Sequence, residues 1–175
     1  MSKKKTSTFY LTERLTITAG ATPVTATIDL GAYVDVADRQ AVAIEEVDFI
    51  FQGTTANGEI PTATGVDNTI FAQVSDLNRG GTIQFADDRA LVASGSMHID
   101  ADKGLFKAAD MYPDVFGARD GVRLVVNDQL YLTAESTGVA TSQNVNVTVR
   151  VKAHVAGLTA KDWMAIAIQS TAADN

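Results

Sequence analysis

The run Val145, Val147, Val149, Val151, Ala153, Val155 constrains this chain more than any other segment. Its apolar residues occupy every second position, with Asn146, Thr148, Arg150, Lys152 and His154 between them. Successive side chains on a strand point to opposite faces, so the pattern demands one long strand with a dry face and a wet face. The pattern recurs elsewhere. Phe9, Leu11, Leu15 and Ile17 alternate with Tyr10, Thr12, Arg14, Thr16 and Thr18, with Glu13 the misfit on the apolar side. Val24, Ala26, Ile28, Leu30, Ala32, Val34 and Val36 predict a second long strand, with Gly31 as a bulge or close-approach point.

A third strand is predicted over 40–52. Val42 and Ile44 share one phase, whereas Val47, Phe49 and Phe51 take the other. One extra residue at Glu45-Glu46 would produce that switch, which reads as a β-bulge with solvated carboxylates. Residues 53–68 form a long loop with a small hairpin at Asn57-Gly58. Strands over 69–77 and 82–85 flank a hairpin turn at Asn78-Arg79-Gly80-Gly81, and another strand covers 90–99. Residues 104–117 are apolar and aromatic without a period of two, and read as a structured loop with a short helical turn. Val122, Leu124 and Val126 are expected to pair through Asn127-Asp128 with Leu130, Leu132 and Ala134 as a hairpin. Thr159, with Asp162 three residues on, resembles a helix N-cap, so residues 163–168 form a short helix or a final strand.

About eight long strands and little helix indicate an all-β fold. The expected form is an antiparallel two-sheet sandwich of the jelly-roll kind, with an immunoglobulin-like sandwich as the alternative. The expected organisation is a short basic arm at 1–8, one sandwich domain at 9–169 and a polar tail at 170–175. A chain of 175 residues suits one domain and buries roughly 70% of its unfolded surface.

There is no cysteine, hence neither a disulfide framework nor a thiolate metal site. No run of 18 apolar residues provides a transmembrane helix. The basic start lacks an apolar segment behind it, so a secretory signal is not expected. The net charge is −7, which makes the body a poor general binder of nucleic acid. Lys3, Lys4 and Lys5 are the exception, and read either as a solvated terminus or as a contact with a polyanion.

Chemistry has few footholds. The two histidines are His98 and His154. Ser96, His98 and Asp100 share one side of a strand, but at a spacing of roughly 7 Å they fall short of a triad. Asp100 and Asp102 open an acidic loop that departs from the calcium-binding pattern, and Asp87-Asp88 is a second acidic pair. These four are the candidates for a calcium ion shared between subunits; no other cofactor is indicated, and no catalytic residue is nominated. Tyr10 and Tyr33, on expected polar faces, would make a sugar platform if they met Trp163 in one groove. Arg150, Lys152 and His154 form the densest basic stripe of the folded part, and so a candidate subunit interface for an acidic surface such as Asp87-Asp88 or Glu45-Glu46.

The short arm at Lys3 to Lys5, the alternating strands, the long loops and the long strand at Val145 to Val155 resemble the single jelly-roll capsid proteins of small icosahedral viruses. The resemblance implies a non-enzymatic subunit that self-assembles into a virion shell with copies of itself and other shell proteins. It also implies synthesis in the host cytoplasm and contact with nucleic acid only through the arm. The short arm and acidic body fit a shell lined by a membrane, or one in which another protein handles the genome. The alternative is a carbohydrate-binding or adhesive sandwich of the phage-fibre, pilus or surface-layer type. An enzyme on a cupin-like scaffold would need more histidines than two.

Overall fold

In the computed structural model the valine run forms β10 (Val145–Gly157), the central strand of one sheet. The structure describes residues 3–18, 23–58, 60, 67–100, 105–112, 121–136 and 144–172, with backbone alone over 105–112 and 169–172. The other strands are β1 (Lys3–Lys4), β2 (Phe9–Ile17), β3 (Val24–Asp29), β4 (Gln40–Gly53), β5 (Asn68–Ser75), β6 (Leu91–Asp100), β7 (Leu105–Tyr112), β8 (Arg123–Val125) and β9 (Gln129–Ser136). One helix, α1 (Ala160–Ala172), follows β10.

The pairing is nested. β2 pairs with β10, β3 with β9, β4 with β8 and β5 with β6, all antiparallel. Alternate pairs fall into opposite sheets. β10 also joins β4 in the first sheet, and β9 joins β5 in the second. A single antiparallel ribbon rolled over in this way is a jelly roll. β1 and β7 are additions to the roll. β1 runs beside β10 beyond the end of β2, with Lys3 opposite Gly157 and Lys4 opposite Ala156, and β7 lies on the outer edge of β6.

The dry face is as expected. Val145, Val147, Val149, Val151, Ala153 and Val155 are between 0% and 4% exposed. Each fully buried valine of this kind contributes roughly 1.5–3 kcal/mol. Leu130, Leu132 and Ala134 of β9 and Ile70, Ala72 and Val74 of β5 belong to the same core. The sheets approach closely at Gly95, where a Cβ would lie 3.0 Å from Phe49 Cδ2. The bulge in β4 falls where the phase switches: Lys152 faces Glu46, Ala153 faces Ile44, and Glu45 is the extra residue.

Four expectations change. The second strand stops at Asp29, because the Asp29 carboxylate accepts the Gly31 N–H at 2.8 Å and turns the chain. Val34 and Val36 therefore lie in a turn region rather than a strand. Residues 82–85 form no strand; the side chain of Gln73 bonds both the N–H and the C=O of Gln84, replacing a ladder pair with a side-chain clamp. Residues 105–112 are strand β7 rather than a loop with a helical turn, while 113–117 lie outside the described residues. The expected hairpin at Asn127-Asp128 is a corner: β8 pairs with β4 in one sheet and β9 with β3 and β5 in the other. The helix at the C-terminal end spans 13 residues, with Thr159 Oγ1 accepting the Asp162 N–H at 3.2 Å, and it runs past position 169.

Candidate functional site

The bulge turns Glu45 onto the outer face of the first sheet, where it gathers the neighbouring polar groups. His154 Nδ1 lies 2.8 Å from Glu45 Oε1, and because a carboxylate only accepts, that nitrogen carries the proton. The same oxygen accepts from Thr8 Oγ1 at 3.3 Å and from Lys4 Nζ at 3.4 Å. Lys152 bridges Glu45 at 3.9 Å and Glu46 at 3.5 Å. Burial pushes the Glu45 carboxyl up, but His154, Lys4 and Thr8 together outweigh it and hold the group below its ordinary value. Further along the stripe, Arg150 lies 4.5 Å over the Tyr10 ring. The basic stripe of β10 thus finds Glu45 and Glu46 in its own subunit, on the adjacent strand.

Of the three arm lysines, Lys4 joins this network and Lys5 is held beside it through its backbone. Lys4 reaches Glu45 and Thr8, and Lys5 donates its N–H to Val155 O at 2.8 Å. Thr6 Oγ1 accepts the Val155 N–H at 2.9 Å. Lys3 stands exposed on β1. The arm is a strand addition to β10, held mainly by its backbone.

A second ionic site ties the sheets together at one end. Asp76, just after β5, is buried and accepts from Arg123 Nη2 of β8 at 3.0 Å. Arg123 also donates to the carbonyl of Arg89, and Asn127 donates to the carbonyl of Asp76. Among the described residues, Asp76 Oδ1 and Arg123 Nε are buried without a hydrogen-bond partner. Burial pushes the Asp76 carboxyl up, Arg123 pulls it down, and burial prevails.

Of the candidate calcium ligands, Asp87-Asp88 and Asp100 lie at opposite ends of β6. Asp88 is engaged by Arg79 at 3.4 Å and by the Ala90 N–H at 2.8 Å, and Asp87 is exposed beside it. Asp100 stands at the far end of the ten-residue β6, about 30 Å away along the strand. Asp102 lies outside the described residues. Among the described residues, no three His, Cys, Asp or Glu side chains are grouped to hold a metal ion.

His98 departs from the spacing argument. Its Nε2 reaches Ser96 Oγ at 3.3 Å because the imidazole leans along the strand, and its Nδ1 meets Thr69 Oγ1 of β5 at 2.9 Å. Ser96 is fully buried, so no substrate reaches its hydroxyl. The tyrosines are separated: Tyr33 stacks on Phe9 at 4.6 Å against the core, while Tyr10 faces solvent beside Arg150. A sugar platform built from both does not form. An open groove of about 490 Å³ lies on the second sheet, where Thr25, Thr27, Tyr131 and Thr133 face the turn at Asn78 to Gly81. Among the described residues, neither a carboxylate nor an imidazole lines it.

Sequence periodicity did not anticipate the outer face of α1. Lys161, Met164, Ala165 and Ile168 form one exposed stripe at helical spacing, while Asp162, Trp163, Ile166 and Ala167 are half-buried. Met164 is 63% and Ile168 61% exposed. Among the described residues, α1 packs broadly on no strand.

No protein-family model matches the sequence, and no curated protein does. The fold is similar to capsid proteins among solved structures. Merkel cell polyomavirus VP1 aligns over 90% of this chain and 98% of its own, at 10% identity and a TM-score of 0.43. Trichodysplasia spinulosa-associated polyomavirus VP1 aligns over 85% and 95%, at 10% identity and 0.40. Desmodium yellow mottle tymovirus aligns over 89% and 93%, at 10% identity and 0.36. The resemblance is architectural, and the jelly roll itself follows from the nested pairing of this chain. Among the described residues, no helix is long and apolar enough to cross a membrane.

Proposed function

We propose that this chain is a non-enzymatic structural subunit that assembles with copies of itself into a virion shell. The observation that carries the reading is the exposed stripe on α1. The two sheets pack their facing sides into one core; outside it Val36 and Phe85 are exposed singly in connecting segments, whereas Met164 and Ile168 stand one turn apart on a helix that already has a half-buried apolar side. A helix with apolar residues on both sides belongs in an interface. The jelly roll supplies a wall of two sheets with loops at its ends, which is the analogy for a shell and is fold-level only. Within this reading Lys3, Lys4 and Lys5 remain the proposed contact with nucleic acid, and Arg150 at the rim of the ionic face a proposed subunit contact.

Size-exclusion chromatography with light scattering and negative-stain microscopy tests the assembly. Discrete high-mass particles or rings are expected as protein concentration rises. A strictly monomeric chain at high concentration, across salt and Ca²⁺ conditions, overturns the reading.

A further inference from the structure

We infer that α1 docks on the α1 of a second copy as an antiparallel helix pair, an inference that rests on the assembly reading above. Three features of the stripe select this partner and this direction.

The first is shape. In an antiparallel pair centred between positions 164 and 165, Met164 of one copy faces Ala165 of the other, and the same contact repeats by symmetry. A long side chain then fills the space above a small one twice. Lys161 falls beside Ile168 of the second copy, where its aliphatic stem covers apolar surface and its ammonium extends beyond. A two-fold pair of this kind is self-complementary and needs no second surface.

The second feature is charge. Lys161 and Asp162 share the first turn of α1, the positive end of the helix dipole, with Asp162 on the half-buried side and Lys161 on the exposed stripe, and no basic residue occupies the last turn. The Lys161 cation is therefore at the unfavourable end of its own helix. Antiparallel docking carries it to the carbonyl end of the partner helix, where the final carbonyls lack intrahelical donors. Parallel docking would instead set Lys161 against Lys161.

The third is what the stripe lacks. A membrane-surface helix carries several cations on its polar face, whereas here one lysine serves a chain of net charge −7. The pair buries only a short stripe, so each contact is weak and holds by repetition across many copies.

The absence of cysteine makes the test direct. Full-length chains carrying Lys161→Cys and Ile168→Cys are oxidised separately and as a mixture. The mixture is expected to give a disulfide-linked dimer that neither gives alone. Met164→Asp in both chains should weaken association on the order of tenfold or more while leaving the circular dichroism spectrum unchanged. Cross-linking of Lys161→Cys chains with themselves indicates a parallel pair and overturns the inference. Particles that form without the mixed disulfide overturn it too, and leave the shell reading standing. A mixed disulfide in a chain that never forms particles supports the pair and sinks the shell. Flotation with phosphatidylcholine vesicles, without cross-linking, assigns the stripe to lipid and overturns the pair.

Discussion

Glu45 and Asp76 are both carboxylates held by cations, and the fold moves them in opposite directions. Glu45 lies on the outer face of a sheet among His154, Lys4, Thr8 and Lys152, and its ionised form is favoured. Asp76 lies in the seam between sheets with Arg123 as its charged partner, and its ionised form is disfavoured. The number of partners matters less than what surrounds them. On the face, several donors share one carboxylate and water screens what remains. In the seam, two atoms of the pair are buried without partners, so desolvation is only partly offset.

The largest expected effect is in the seam. Arg123→Met leaves Asp76 buried without its cation and should cost about 3–5 kcal/mol in urea denaturation. Combining it with Asp76→Leu should recover most of that loss, since no charge is then stranded. If Arg123→Met costs no more than Glu45→Gln, burial is not what separates the two sites. Gly95→Ala tests the dry contact between the sheets. Forcing a methyl group against Phe49 should cost about 1–3 kcal/mol, equally at all pH values where the protein is folded.

Glu45→Gln should cost about 1 kcal/mol or less at neutral pH. Its pH dependence carries the sharper distinction. A carboxyl held below its ordinary value contributes stability above that value, and the contribution is lost as pH falls through the folded one. The advantage of wild type over Glu45→Gln should thus vanish in acid. Asp76 has the opposite sign: its contribution is fully present below the ordinary carboxylate value and declines as pH rises through the raised one. Wild type should therefore lose ground to Asp76→Asn over that window. Slopes of the same sign for both pairs would undo the comparison. The smallest effect is the Arg150–Tyr10 contact, for which a double-mutant cycle should give roughly 0.5–1 kcal/mol of coupling.

Much of the fold was legible because it is written in local alternation. The valine strand, the phase switch at Glu45 and the Thr159 cap depend on neighbours within a few positions. The corner at Asn127-Asp128 was not legible, because the same turn residues serve a hairpin and a change of sheet; only the distant partners of β8 and β9 distinguish them. β7 was missed because an edge strand can form on backbone bonds to β6 alone, without alternating side chains. The ionic sites had no local signal. His154 is 109 positions from Glu45, and Arg123 is 47 from Asp76.

The nested pairing has a consequence for timing. Phe9 of β2 finds Ala153 of β10 opposite it, so the first strand of the roll waits for the last before its edge is closed. Pairing across most of the chain makes folding slow and leaves strand edges open while synthesis proceeds. The stripe on α1 leaves the ribosome only after β10. A nascent chain therefore cannot present its helix to another copy before the strand that completes its own roll has been made, and the order of translation itself separates folding from assembly.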